Sequence, residues 1–383
     1  MPIHLTSKLP QVSTTIFTQM SALAQQYQAL NLSQGFPDYA ADPLLVDLVS
    51  KYMNEGYNQY AYMAGVPVLR ERISEKVHRL YGVDADPVDE ITITAGGTQA
   101  IFTAIASVIG AGDEVLIFEP AYDCYRPTVE LFGGRVIPVT LHAPDFEIDW
   151  DSVGQLMTSK TRMIILNNPN NPTGKVLQEH DLLILQQLVD KTDILIISDE
   201  VYEHLIYDGR APHSLLQYES LRQRSFVVAS FGKLLHTTGW KVGYCIAPKA
   251  LTSEFRKVHQ FNVFSVHTPT QYAIADYLIN PQVYLSLPSF FQEKRDRLIE
   301  GLKDTKLDVL PCEGTYFLNV SYQRISDLPE LQFATLLTRE YRVAMIPISA
   351  FYANEVNQQL LRICFAKKTD TLIKAIDLLR NIK

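Results

Sequence analysis

Between residues 90 and 250 short apolar runs alternate with longer segments of helical periodicity. The runs are 91–94 (ITIT), 115–118 (VLIF), 135–140 (RVIPVT), 162–166 (RMIIL), 194–198 (ILIIS), 225–229 (SFVVA) and 242–246 (VGYCI). Helical patterns such as 97–109 and 179–191 lie between them. A strand with almost no polar residue must be covered on both faces, and intervening helices supply the crossovers that parallel pairing needs. The pattern predicts an α/β fold built on a mostly parallel seven-stranded sheet.

The flanking regions read differently. The first 45 residues are polar and irregular, with Pro10, Pro37 and Pro43, and read as an arm. Residues 68–81 place Leu69, Ile73, Val77 and Leu80 on one helical stripe. Beyond about 280 come a helical segment 289–304, a strand-like 315–320, a helical 330–341 and a final helix near 369–381. These predict a smaller α/β unit. At about 150 residues per domain, 383 residues give two to three domains. The expected division is an arm at 1–45, a large domain at 46–280 and a small C-terminal domain at 281–383, with the boundary near Asn280-Pro281.

Charge and cysteine usage exclude several functions. Thirty-four basic against 42 acidic residues give a net charge of −8, which argues against a nucleic-acid or membrane-surface partner. No apolar run approaches the roughly 18 residues of a membrane span. Cys124, Cys245, Cys312 and Cys364 are scattered, with no CxxC pair, so neither a disulfide framework nor a metal site is expected. The opening MPIHLTSKLPQVSTT has no apolar signal core or Arg-rich transit character, and a cytoplasmic location is expected.

In open α/β sheets ligands bind beyond the carboxyl ends of the strands. Five polar segments sit there: AGGTQ (95–99), EPAYDCY (119–125), NNPNNPTGK (167–175), DEVYEH (199–204) and SFGK (230–233). Gly96-Gly97-Thr98 between a strand and a helix lets backbone N–H groups approach an anion, although the same residues also make an ordinary tight turn. Asp199 ends a buried run and needs a positive partner such as a protonated ring nitrogen, although an ordinary helix N-cap or a structural ion pair reads equally well. Asn168 to Gly174 forms a rigid loop carrying amide donors. Most lysines are solvated, but Lys233 has Phe231, Leu234 and Leu235 beside it. Desolvation there lowers its pKa and frees the amine as a Schiff-base nucleophile. An anion cradle, a cation-pairing carboxylate, an amide donor and an amine together suit pyridoxal 5′-phosphate.

Along nearly its whole length the chain also resembles the class I pyridoxal-phosphate aminotransferases of fold type I, particularly the methionine and kynurenine aminotransferase group. The resemblance rests on LSQGFPD (32–38), NQYAYMAGVPVLR (58–70), TAGGTQA (94–100), EPAYDCY (119–125), NNPNNPTGK (167–175), SDEVYEHL (198–205), SFGK with TTGWKVGYCIAP (230–248) and LRICFAK (361–367). It implies that Lys233 carries the cofactor and shuttles the substrate proton, that Asp199 pairs with the pyridinium nitrogen, and that Asn171 and Tyr202 bond the ring's phenolic oxygen. Tyr122 would stack on the ring. Gly97, Thr98, Ser230 and Lys241 would hold the phosphate, with Tyr60 reaching it from a neighbouring subunit. Arg362, with Gly35 and Asn171, would clamp the substrate carboxylate, for which the guanidinium fork is suited. An isolated arginine in a strand also serves as a structural salt bridge, and Tyr60 and Tyr122 also read as core aromatics. The chain departs from the family pattern at Leu234 and Gly232, where hydroxyl residues are usual, and at Lys241, where arginine is common.

The resemblance implies a transaminase working by a ping-pong cycle between a neutral, bulky L-amino acid and a 2-oxo acid, as a homodimer with shared active sites. A cysteine S-conjugate β-lyase on the same cofactor is the first rival. A non-enzymatic ligand-binding member of the fold is the second, and the chain shows neither a basic helix-turn-helix nor spare length for a DNA-binding module.

Overall fold

The computed structural model describes residues 5–354 and 356–382. Before the first long strand come α1 (Ile16–Gln26), the two-residue β1 (Leu30–Asn31), α2 (Pro43–Asn54) and α3 (Pro67–Tyr81). Seven strands then form one sheet: β2 (Ile91–Thr94), β3 (Glu114–Glu119), β4 (Arg135–Thr140), β5 (Thr161–Asn167), β6 (Leu195–Asp199), β7 (Ser225–Ser230) and β8 (Gly243–Ile246). Their spatial order is β2-β8-β7-β6-β5-β3-β4. Each corresponds to one of the seven apolar runs.

Burial on both faces explains why these runs lack polar residues. Every residue of β2, β3 and β8 is buried. Along β3, Val115 and Ile117 face one apolar cluster with Ile101 and Ile105 of the preceding helix α4 (Gly97–Val108), while Leu116 and Phe118 face the other. Side chains alternate across a strand, so a doubly covered strand stays apolar throughout.

The sheet is parallel except for β8, which runs antiparallel to both β2 and β7. Between β7 and β8 lie only a one-turn helix (Phe231–Leu234) and a 3₁₀ turn (Thr238–Trp240). With no crossover helix the chain returns in the opposite sense. This return passes over the carboxyl edge of the sheet and carries Lys233 and Lys241. Ser230 pairs with Gly243, Thr94 pairs with Gly243, and Asn167 pairs with Asp199, so the polar strand ends stand side by side.

A second sheet is antiparallel, in the order β12-β13-β10-β9, from β9 (Asp308–Val309), β10 (Phe317–Ser321), β12 (Ile346–Pro347) and β13 (Leu360–Cys364). Helices Leu287–Leu302, Glu330–Glu340 and Thr369–Leu379 accompany it. Asn280-Pro281 falls between helices Thr268–Tyr277 and Gln282–Leu285. No helix among the described residues is long and apolar enough to cross a membrane.

The N-terminal segment differs from the irregular arm that its composition predicts. It contains α1, whose Met20 and Ala24 are buried and whose cap, the Thr15 hydroxyl, accepts from Thr18 N at 3.3 Å. Ile16, Met20, Leu23 and Ala24 share one face, but Gln19, Ser21, Gln25 and Gln26 between them mask the period. Beyond α1, β1 pairs in parallel with β11 (Val343–Ala344).

Candidate active site

A cavity of about 300 Å³ opens at the carboxyl edge of the seven-stranded sheet. Its wall includes Gly35, Gly97, Thr98, Tyr122, Asn171, Asp199, Tyr202, Ser230, Lys233, Lys241 and Arg362, so one chain brings together every predicted site residue except Tyr60. Tyr60 lies on the surface, 84% exposed, with its ring edge-on to Phe264 at 5.5 Å.

One end of the cavity is built to receive an anion. The loop Ala95-Gly96 turns from β2 into α4 with Gly96 at φ +82°, a conformation that favours glycine. A Cβ there would come within 3.3 Å of Lys241 Nζ, so the ammonium lies close over the bare backbone. Lys241 itself sits in the left-handed region at φ 56°. The first N–H groups of α4 are free of intrahelical partners, and Ser230 and Thr238 line the same cavity.

Asp199 ends β6 and is 3% exposed. Its Oδ2 accepts from the Tyr125 hydroxyl at 2.5 Å, and its Oδ1 accepts from Val201 N at 3.3 Å. Burial pushes the carboxyl up to about 6, against the lowering by those two donors and by Lys233. A carboxylate in this position gains from a cation placed beside it. The backbone carbonyl of Asp199 accepts from Asn167 Nδ2 at 2.8 Å, and Asn167 Oδ1 in turn accepts from Asn171 N at 2.7 Å. The proline-rich loop is thereby fixed to the strand end.

Arg362 stands on β13 and is fully buried. Its NH1 donates to Asn171 Oδ1 at 2.6 Å and its NH2 to the Ser33 carbonyl at 3.0 Å, while Nε has no partner. The guanidinium centre lies 3.8 Å from the ring centroid of Phe317, 5.0 Å from that of Phe351 and 5.5 Å from that of Phe17. Burial lowers its pKa to about 10. Among the described residues it forms no ion pair, and a buried guanidinium with neutral partners and an orphaned N–H is suited to an anionic ligand.

Lys233 Nζ donates to Tyr316 Oη at 2.8 Å and to the Gly35 carbonyl at 3.0 Å. Burial pulls its pKa down to about 8. Gly35 is held against the second sheet, where a Cβ would meet Phe317 Cζ at 2.7 Å. The Tyr202 ring lies edge-on to Tyr316 at 5.1 Å, and Tyr122 is edge-on to Tyr125 at 5.9 Å. Burial raises both the Tyr122 and Tyr202 phenols, which stay protonated as donors.

Sequence reasoning missed several residues of this site. Tyr125 lies within the EPAYDCY segment, three positions after Tyr122, and the period of a helical turn was the available signal. Phe17 and Phe317, which line the cavity, and Tyr316, which bonds Lys233, had no local signal, because only tertiary packing brings these distant segments to the site.

The donor set fits pyridoxal 5′-phosphate. It offers an anion cradle, a buried carboxylate without a cation partner, an amine of lowered pKa and a guanidinium with an unpartnered N–H. The sequence profile of the family described as "Aminotransferase class I and II" matches residues 27–377. The chain belongs to this family. It is a pyridoxal-phosphate-dependent transaminase of fold type I. It is 48% identical to methionine aminotransferase of Escherichia coli K12 over 382 residues, covering 100% of this chain and 99% of that one. A solved Escherichia coli structure with a methionine aminotransferase function matches with a TM-score of 0.97 at 48% identity, over 99% of this chain and 100% of that one. A probable N-succinyldiaminopimelate aminotransferase of Mycobacterium tuberculosis is 35% identical, covering 97% of this chain and 96% of that one.

Proposed function

We propose that this aminotransferase moves the amino group of a neutral, bulky L-amino acid, such as methionine, an aromatic amino acid or kynurenine, to a 2-oxo acid by a ping-pong cycle. The observation that carries this reading is the pairing, in one cavity, of a half-buried amine and a buried guanidinium that both lack carboxylate partners. Arg362 is the one arginine lining that cavity among the described residues, so this chain offers a single guanidinium fork for the substrate α-carboxylate and no second one for a side-chain carboxylate. Phe17, Phe317 and Tyr122 offer apolar surface for a large neutral side chain. The 48% identity to a methionine aminotransferase supports the same substrate class.

Each residue then has a defined task. The α4 N-terminus with Gly97 and Thr98, together with Ser230 and Lys241, holds the phosphate. Asp199 keeps a proton on the pyridine nitrogen, with Tyr125 steadying the carboxylate from the far side. Asn171 and Tyr202 hold the phenolic oxygen, and Tyr122 covers the ring. Pyridoxal 5′-phosphate, when bound, supplies the reactive carbonyl carbon and a ring that accepts the electron pair of the broken Cα–H bond. Arg362, Asn171 and Gly35 orient the substrate by its carboxylate end. Lys233 Nζ would take the Cα proton and deliver a proton to the cofactor's carbonyl carbon, on the other side of the amino nitrogen.

Tyr60 acts, on this reading, from the partner subunit of a homodimer. In support, Tyr60 and Tyr62 are 84% and 72% exposed, and Phe264, edge-on to Tyr60, is 44% exposed, an apolar grouping that a second copy would cover. The residues from 281 onward form the small domain of each subunit.

A half-reaction screen tests the substrate class. The enzyme in its pyridoxal form is mixed with each amino acid and its conversion to the pyridoxamine form is followed by absorbance. Methionine and aromatic amino acids should convert fastest. Preference for aspartate or glutamate would overturn the neutral-substrate reading.

A further inference from the structure

Tyr316 immediately precedes β10 and is 1% exposed. Its ring is fixed edge-on by Phe317 at 4.9 Å and Tyr202 at 5.1 Å, with Phe291 tilted at 5.8 Å. Its hydroxyl donates to the Gly35 carbonyl, and its oxygen accepts from Lys233 Nζ at 2.8 Å. Lys233 Nζ also donates to that carbonyl, at 3.0 Å. The lysine, the phenol and the carbonyl therefore form a closed triangle, in which Lys233 and Gly35 line the cavity and Tyr316 stands behind them.

The valences of nitrogen give this triangle its meaning. A neutral amine has two N–H bonds and one lone pair, and an ammonium has three N–H bonds. Two neutral oxygens accept from Lys233 in the triangle. In the neutral amine they take both N–H groups and leave the lone pair. In the ammonium they take two N–H groups and leave the third. The same pair of acceptors fits both charge states, and one tetrahedral position remains each time.

We propose that Tyr316 is a positioning residue for Lys233, docking the amine with the Gly35 carbonyl whenever it is not covalently engaged, so that its one remaining valence faces the cavity. The inference rests on Lys233 as the proton carrier of the reaction. The proton accounting is simple. The Lys233 lone pair accepts the Cα proton, and the electron pair of the Cα–H bond stays with the substrate. The ammonium keeps its two hydrogen bonds and later releases one proton. Tyr316 neither gains nor loses a proton, consistent with a phenol that burial holds protonated. Loss of its oxygen removes one of two acceptors for the ammonium and lets the amine rotate.

The test uses the full chain stripped of cofactor, in which Lys233 is free. Its acetylation by acetic anhydride is measured against pH by peptide mass spectrometry. Wild type should show a midpoint near 8. Tyr316→Phe keeps the ring and should lower the midpoint by about one pH unit, because a hydrogen bond to a charged donor is lost. Tyr316→Gln, which restores an oxygen acceptor, should bring the midpoint back toward wild type. In the loaded enzyme, a half-reaction with an α-deuterated amino acid should be about tenfold slower in Tyr316→Phe and show a larger isotope effect, with unchanged amino-acid affinity. An unchanged midpoint, or a rate loss without a change in isotope effect, overturns the proposal. Lys233→Ala separates the two levels. If it keeps turnover, the lysine reading itself falls. If it is inactive while Tyr316→Phe behaves as wild type, only the role of Tyr316 falls.

Discussion

Lys76 and Arg295 meet carboxylates, whereas Lys233 and Arg362, which line the cavity, meet none among the described residues. Lys76 on α3 is 1% exposed and bonds Glu203 Oε1 at 2.6 Å and the Tyr244 hydroxyl at 2.8 Å. Arg295 bonds both oxygens of Asp208, at 2.6 and 2.7 Å. Lys233 and Arg362 instead meet a phenol, an amide and backbone carbonyls. The consequences diverge. Burial alone would raise the Glu203 carboxyl, but Lys76 and His204 hold it well below the usual carboxylate range. Burial pulls on Arg295 too, yet Asp208 and Asp296 push it above its ordinary value. With no such partner, burial prevails at Lys233 and Arg362, and both fall. Burial therefore does not make a reactive cation by itself. Nor does a missing carboxylate, since Arg70 and Lys367 are buried with backbone-carbonyl partners away from the cavity; at Lys233 and Arg362 it coincides with a place on the cavity wall.

The contrast is open to breakage by mutation. Lys233→Ala should cut transamination by about 10⁴-fold or more while the chain still folds, read by steady-state kinetics beside circular dichroism. Retained turnover would remove the amine from the mechanism. Lys76→Met should act in the opposite sense. It leaves the buried Glu203 with only His204 and the Tyr81 and Tyr244 hydroxyls and should destabilise the chain by about 3–5 kcal/mol in urea unfolding, with the kcat of the folded fraction unchanged. A stability close to wild type would show that Lys76 is not the partner that matters.

Arg362→Ala should raise KM for amino acid and 2-oxo acid alike by about 10- to 100-fold, the loss of a charge-assisted pair. Asp199→Asn sharpens the comparison from the acidic side. The Asp199 carboxyl is raised from 3.8 to about 6, so its favourable contribution is full below about pH 4 and is lost as the pH rises to about 6. At pH 7 the buried charge is a cost. The substitution should therefore stabilise the cofactor-stripped chain at pH 7 by about 1–3 kcal/mol, with the difference vanishing near pH 4, while transamination falls. A destabilised variant at pH 7 would contradict the direction.

The seven strands were legible because each is covered on both faces, so burial wrote the same apolar signal into every one. The antiparallel turn of β8 was not, because strand direction depends on what the short 231–241 connection can span. Lys233, Asp199 and Arg362 stood out as charges inside apolar runs. Their neutral partners did not. Tyr316 and Ser33 reach the site from distant sequence, and one contributes only a hydroxyl while the other contributes only a backbone carbonyl, which any residue type has. Helix α1 was hidden because its glutamines interrupt the apolar stripe that Met20 and Ala24 complete.

The parallel pairing of β1 with β11 has a consequence for synthesis. Leu30–Asn31 leave the ribosome early, but Val343–Ala344 emerge only near the end of the chain. Ser33 and its donor Arg362 are 329 positions apart. A nascent chain paused after β8 holds all seven strands of the large sheet and Lys233, yet its first strand still waits for a partner. Such long-range contacts close late. Translation thus assembles the scaffold first, and the strand that carries Arg362 arrives late.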